Sequence, residues 1–523
     1  MRIEGAIETW QVRKPAVEGT GGLIASQHYA ASEVGARVLA EGGNAVDAAV
    51  AAGLAIGAVE PWMSGLGGAG FMLIYLAAED RVHCVDMGLI SPRRLDPSDY
   101  PLSGQTAGDL FGWPGVVGNR NLLGYASVAV PGYVDGISQA LARFGSRGWA
   151  ESLAPAIALA EAGMDVDWYA TLKIASAAGI LNRFEESRRV YLPNGVPPIG
   201  EWGGPLPHIT LGNLAPTLRR LAEAGPRDFY EGEIADAIVA DMKAGGGSLE
   251  HDDLAAYRAR ILPVAPTPYR SATVYGAPGL SAGPTLLRAL ALMAERLRPG
   301  RHPDGEAYAA YAEALLQAYG ERLETLGDAD ETSDPSCTTH MSVIDREGNM
   351  VALTQTLLSI FGSKVMLPRT GMMMNNGIMW FDPRPGRPNS IAPAKRPLSN
   401  MCPAIAVRED GFRLAVGASG GRRIMPAVLQ LISFVADYGM DLERAFHQPR
   451  IDVSGSDLVS VDRAMAPEAA AVIERRFDKV RRVQHGVYPA LFACPNAVGG
   501  IAGAGRQSGA AFVMSPWAKV AAV

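Results

Sequence analysis

Apolar positions near the start of the chain fall on helical spacing. Between Ala30 and Ala40, Val34 and Val38 stand one turn apart, and Gly42-Gly43 stops the helix that this spacing predicts. Asn44 follows as an N-cap with Asp47 three residues on. The helix it opens, A-V-D-A-A-V-A-A-G-L-A-I-G, is apolar nearly all round, as a helix inside a layered core is. Pro61 ends it, and after the glycine-rich S-G-L-G-G-A-G the run F-M-L-I-Y-L reads as a strand. Residues 130–260 are expected to be mainly helical, with loops at 192–206 and near 245–247. Beyond the loop G-A-P-G-L-S, helices are expected over 285–297 and 308–326, the second ending at Gly327-Asp328.

The pattern changes between Ser336 and Thr356. Val343-Ile344-Asp345 leads into Arg346-Glu347-Gly348, and Asn349 onward leads away with the strand-forming run M-V-A-L. A three-residue loop with glycine last suits a type I turn closed by a left-handed residue, so the stretch reads as a β-hairpin. Pairing Asp345 with Asn349 carries Thr338 opposite Thr356, and directly opposed residues share a face with Cβ atoms about 5 Å apart. Two threonine hydroxyls are therefore expected to meet.

Composition narrows the function classes. The 523 residues are 48% apolar and 19% charged, an ordinary balance for a soluble globular chain. The net charge of −7, with Lys and Arg scattered, gives no basic face for phosphates, so no nucleic-acid partner is expected. The longest uncharged apolar run, residues 48–59, is too short to span a bilayer. The first residues mix charge with apolar positions and contain no apolar signal core, so secretion is not indicated and a cytoplasmic location is expected. Four cysteines without a C-x-x-C pair and eight dispersed histidines suggest neither a disulfide framework nor a metal site, and no cofactor is expected.

A lone threonine lacks a base for its proton, whereas a threonine whose own α-amine is free carries one. That points to cleavage between Cys337 and Thr338, and the acidic, turn-forming A-D-E-T-S-D-P-S-C upstream reads as exposed. Farther on, 414–417 reads as a strand, 418–421 as a turn and Arg422 onward as a helix. Bare glycine at such a turn lets an oxygen approach unpaired backbone N–H groups, which suits an oxyanion hole at Gly420 and Gly421, although a plain strand-to-helix turn fits the same spacing. Asn375-Asn376 and Ser399-Asn400 lie at abrupt changes from apolar to polar composition and are candidates for a polar pocket; Met372 to Met374 read as core. Gly65–Gly70 fits G-x-G-x-x-G, but a helix precedes it and a strand follows, the reverse of a dinucleotide site, so a tightly packed turn is the better reading. Asp252-Asp253 is read as a helix-start pair rather than an acid dyad.

The run T-T-H-M-S-V-I-D-R-E-G-N resembles the processing site of the γ-glutamyltransferase (γ-glutamyltranspeptidase) family of N-terminal nucleophile hydrolases, whose members cut themselves before the first threonine. The G-G-N-A-V-D-A-A-V-A block, the following glycine turn, K-R-P-L-S and G-A-S-G-G-R-R-I are similar to the same family in the same order. The resemblance implies an α+β fold, a four-layer α-β-β-α sandwich of mostly antiparallel sheets. It also implies a large chain of residues 1–337 and a small chain of 338–523, intertwined as one domain, a processed heterodimer for which further dimerisation stays open. Thr338 then matches the nucleophile, Thr356 its hydrogen-bonding partner, and Gly420 and Gly421 the oxyanion donors.

The glutamyl-recognition positions depart from the family. Gly88 stands at the family's arginine, Leu358 at its asparagine, and Gly377 and Trp380 at its Gln and acidic residue, and Ser399 is followed by Asn400 instead of a second serine. The lid segment is shortened between Trp380-Phe381-Asp382 and Pro388, and about ten residues connect Gly327-Asp328 to Thr338 where the family has a longer connection. These departures predict an open site lined by Leu358, Trp380 and methionines, with Asn375, Ser399 and Asn400 as polar contacts. They favour a small-molecule amide with a bulkier or less polar acyl group over glutathione. Two alternatives stay open: true γ-glutamyl transfer through other residues such as Arg422 or Arg423, and a relative that has lost catalysis and only binds.

Overall fold

The computed structural model describes residues 9–106, 113–326, 336–454, 456–501 and 505–523. Backbone pairing gathers the main strands into two seven-stranded sheets in which every neighbouring pair is antiparallel. The first runs in the order Lys519–Ala522, Gly22–Ser26, Ser336–Asp345, Met350–Ser359, Ala69–Leu76, Arg81–Met87 and Arg260–Pro263. The second runs Val17–Gly19, Gln507–Ala511, Cys494–Ile501, Phe412–Ser419, Ala404–Arg408, Ala272–Gly276 and Thr267–Tyr269.

Side-chain alternation along these strands builds three apolar cores, which define the layers. Met341, Val343, Val351 and Leu353 pack outward with the helices Tyr29–Ala40 and Ala45–Val59. Ile344, Met350 and Ala352, on the opposite face of the same hairpin, meet Ile405, Ala415 and Val498 of the second sheet. The other face of that sheet, with Val274, Ala404 and Val416, packs on the helices Gly283–Arg296, Gly305–Leu326 and Ile424–Ala436. The result is the expected α-β-β-α sandwich.

Local chemistry follows the sequence closely at several points. Asn44 and Asp47 form a capping box, and the Asp47 carboxylate also accepts from the Ser146 and Arg147 amides, which ties this helix start to a distant loop. The glycine turn is a close-packing device: a Cβ on Gly68 would lie 2.4 Å from the Thr356 carbonyl, and one on Gly67 would lie 2.4 Å from the Met373 carbonyl. At the expected turn of 418–421 the strand instead continues through Ala418 and Ser419, which pair with Pro495 and Cys494, and only Gly420 and Gly421 turn. The expectations for Gly327-Asp328 and the acidic stretch before Ser336 fall outside the described residues.

Candidate active site

The hairpin register is the expected one from Ile344↔Met350 down to Thr339↔Gln355. It then slips: Cys337 pairs with Leu358, so Thr338 faces two residues, Thr356 and Leu357. Leu358 takes φ +84, unusual for a branched side chain, and its N–H donates to Thr356 Oγ1 at 2.8 Å, while the Leu357 N–H turns away to the Met63 carbonyl. The bulge keeps the two hydroxyls together despite the slip. Thr338 Oγ1 donates to Thr356 Oγ1 at 3.2 Å, and both residues are buried.

The Gly421–Arg423 turn packs against this strand from the second sheet. Gly420 has φ +133 and Gly421 φ +62, values that glycine adopts without strain, and a Cβ on Gly420 would press on Ala493 at 3.0 Å. Among the described residues neither N–H donates to a backbone carbonyl. Such a pair of donors is free to hold a developing oxyanion.

His340 pins the two sheets behind Thr338. Its Nδ1 meets Thr354 Oγ1 at 2.8 Å and its Nε2 meets Ser342 Oγ at 2.9 Å, and its ring fills the space that the missing side chain of Gly417 leaves. Burial holds its pKa at about 3, so the ring stays neutral and serves as a spacer.

The expected pocket residues divide. Asn375 donates Nδ2 to the Gly67 and Ala129 carbonyls and accepts at Oδ1 from the Ala129 and Gly377 amides, so it is a scaffold node with no amide atom left for a ligand. Ser399 is fixed by its backbone: its N–H donates to the Leu280 carbonyl at 2.7 Å, and its carbonyl accepts from Arg322 Nη2 at 2.7 Å. Asn400 is buried and its Nδ2 has no hydrogen-bond partner among the described residues, which makes it the one residue of the set with an amide group to offer. Leu358 and Trp380, expected to line an open site, are buried in the inter-sheet core with Met379 and Phe381, at 1% and 4% exposure. The shortened lid explains this. Asn389 bridges the Trp380 carbonyl and the Leu398 amide, and Asp382 pairs with Asn389 and Ile391, which ties the short loop back to the Trp380 backbone.

At the family's arginine position the Gly88 carbonyl accepts from Tyr257 Oη at 2.6 Å and Arg396 Nη1 at 3.0 Å, and a Cβ there would stand 3.0 Å from Asp86 Oδ1. Arg423 lies 3.9 Å from the buried Asp452 carboxylate, and the Arg422 carbonyl accepts from Tyr319 Oη.

Sequence reasoning passes over Glu60, Gln27 and Thr339, which form a buried polar cluster beside Thr338. Thr339 Oγ1 lies 2.6 Å from Gln27 Oε1 and 3.3 Å from Glu60 Oε2. The one signal of it along the chain is Glu60 itself, a lone acid closing an otherwise apolar helix.

A four-layer sandwich with a hydroxyl pair at the end of a central strand and a bare glycine turn facing it defines an N-terminal nucleophile hydrolase that works on amide bonds. The chain belongs to the gamma-glutamyltranspeptidase family, whose sequence profile matches residues 31–337 and, overlapping, 329–512. It is 33% identical over 519 residues to the acylase ACY 1 proenzyme of Pseudomonas sp. (strain SE83), covering 92% of this chain and 91% of that one. It is 31% identical over 517 residues to the glutathione hydrolase proenzyme of Escherichia coli (strain K12), covering 89% of this chain and 86% of that one. In fold it resembles the cephalosporin acylase from Bacillus halodurans, with a TM-score of 0.84 at 23% identity, covering 100% and 99% of the two chains.

Proposed function

We propose that the chain cuts itself between Cys337 and Thr338 and then hydrolyses a small-molecule amide whose acyl group is not γ-glutamyl. The observation that carries this is the Thr338–Thr356 hydroxyl pair at 3.2 Å beside the Gly420-Gly421 turn. In the cut, Thr338 Oγ attacks the Cys337 carbonyl carbon, the peptide C–N bond breaks as an ester forms and the freed α-amine takes the hydroxyl proton, and water hydrolyses that ester to leave the Cys337 carboxylate and the Thr338 hydroxyl. In turnover the amine takes the hydroxyl proton, Oγ attacks the substrate carbonyl, and the Gly420 and Gly421 N–H groups hold the oxyanion. The leaving amine departs with the proton, and water releases the acid and restores Thr338.

Three features support an acyl group without the glutamyl head. Gly88 supplies no cation, Leu358 supplies no amide, and the space around Gly88 is already taken by the Asp86, Arg396 and Tyr257 side chains. The likeness to an acylase proenzyme agrees. Intact mass and denaturing electrophoresis of the protein beside Thr338→Ala test the reading. Two fragments parting between Cys337 and Thr338, absent in the variant, are expected, whereas an uncut wild-type chain after long incubation would sink it.

A further inference from the structure

The cluster behind the nucleophile has a direction, and it runs to the oxyanion turn. Gln27 Nε2 donates to Ser419 Oγ, and Ser419 is the last strand residue before Gly420. Ser419 in turn pairs with Cys494 across the strands. Gln27 comes from the end of the strand beside the nucleophile strand, so this one side chain links the two sheets at the site.

Proton counting fixes the other end. Thr339 has a single hydroxyl proton, and Gln27 Oε1 can only accept. The 2.6 Å contact takes that proton, so the 3.3 Å contact to Glu60 is a hydrogen bond only if Glu60 donates. The relay then reads Glu60 to Thr339 to Gln27 oxygen, and Gln27 nitrogen to Ser419. An ionised Glu60 would compete for the Thr339 proton and leave Gln27 Oε1 buried without a donor.

The geometry points to neutral Glu60 as a positioning residue for the oxyanion turn, acting through Thr339, Gln27 and Ser419. Burial pushes its carboxyl up to about 8, against the opposing pull of the Lys173 charge from the helix Trp168–Leu181. The other titratable groups facing it are Tyr169 of the same helix and Cys494, both raised by burial, and the Lys173 ammonium lies over the Tyr169 and Tyr488 rings. The carboxyl therefore ionises near the alkaline end of the working range, and the turn loosens there.

This inference rests on the proposed function, and its tests separate the two. The first needs no turnover. In the Thr338→Ala protein, infrared difference spectra between pH 7 and pH 9.5 should show loss of a protonated carboxyl band that Glu60→Gln removes; no such band at pH 7 overturns the proposal whatever the enzyme does. The second uses p-nitrophenyl acetate as a generic acyl probe, with the Thr338→Ala rate subtracted. The wild-type kcat should fall several-fold above about pH 8, whereas Glu60→Gln, which still donates to Thr339 but cannot ionise, keeps a flat alkaline limb at a rate within about threefold of the wild type at pH 7. Glu60→Leu should lower kcat about tenfold with KM little changed. In a Ser419→Ala background, Glu60→Gln should change nothing further, because the relay is already cut. An alkaline limb in Glu60→Gln that overlays the wild type, or an undiminished effect of Glu60→Gln in the Ser419→Ala background, would overturn the relay.

Discussion

The amide of Leu358 donates to the hydroxyl oxygen of Thr356 at 2.8 Å, and this bond holds the returning strand in the bulge that brings Thr356 within 3.2 Å of Thr338. Thr356 thus accepts the Thr338 hydrogen bond on an oxygen whose position the backbone sets. Thr356→Val keeps the shape and removes the acceptor. Its kcat on any accepted amide should drop about 100-fold while KM changes little, in the range expected for losing one positioned hydrogen-bonding group at the reacting centre. Steady-state kinetics on the cut enzyme check this.

A methyl group is enough to disturb the site from behind. A Cβ on Gly417 would stand 2.4 Å from the His340 ring, which two hydrogen bonds hold in place. Gly417→Ala should cost about 2 kcal/mol or more and slow self-cleavage, because the sheets must part at the strand that carries Thr338. Chemical denaturation of the Thr338→Ala protein with and without the substitution measures the cost free of cutting.

Acid should unfold the protein through its buried imidazoles. His28 and His340 are both held at about 3 by burial, below the ordinary 6.5. A depressed histidine contributes stability that is fully present above pH 6.5 and is lost as pH falls toward 3, because the unfolded chain binds the proton first. Together the two give a slope of about 3 kcal/mol per pH unit between those limits. Urea titrations at pH 7, 6 and 5 should show that decline; a flat profile would mean that neither ring is excluded from water.

Arg322 is a buried guanidinium that meets no carboxylate among the described residues. It holds the carbonyls of Ser281 and Ser399 and the hydroxyl of Thr285, and burial lowers its pKa to about 10. Arg322→Lys cannot reach all three acceptors with one ammonium, so it should lose about 2 kcal/mol and raise KM more than it lowers kcat, since Ser399-Asn400 shifts while the threonine pair does not. Melting curves paired with KM and kcat on a single substrate separate the two effects.

Acyl preference can be read directly. With p-nitroanilides that share one leaving group, an acyl chain without the α-amino and α-carboxylate groups should exceed γ-glutamyl by at least about 100-fold in kcat/KM, since a site built to pair charged groups loses that much when its partners are gone. Equal rates would instead favour glutamyl recognition through other residues.

What is legible in the sequence is local. Asn44 with Asp47, and Asp345 with Asn349 around Gly348, fix their elements within a few residues, so the order of residues alone reveals both. The slip at Thr338 is hidden, because it depends on Leu358 adopting a backbone conformation that its side chain disfavours and that only the surrounding core enforces. Asn375 reads wrongly as a pocket residue because a change in composition shows where a polar residue lies and not which of its atoms are used. Leu358 and Trp380 look like pocket lining in a sequence without a long lid, but both are buried in the core between the sheets. Glu60 lies 279 residues from Thr339, and Gln27 lies 392 from Ser419, so only the folded chain brings them together.

The strand that carries Thr338 lies third in a sheet whose neighbours come from both sides of the Cys337–Thr338 bond, the proposed place of the cut, and the second sheet likewise mixes segments from before and after it. Cutting there is a nick in a woven fabric: the pieces remain laced through each other, and neither carries a whole sheet. Assembly must therefore finish while the chain is still continuous. Once the nicked protein is melted and diluted, regaining its structure becomes an encounter between two strangers instead of a search by one chain, and it should slow as the concentration falls.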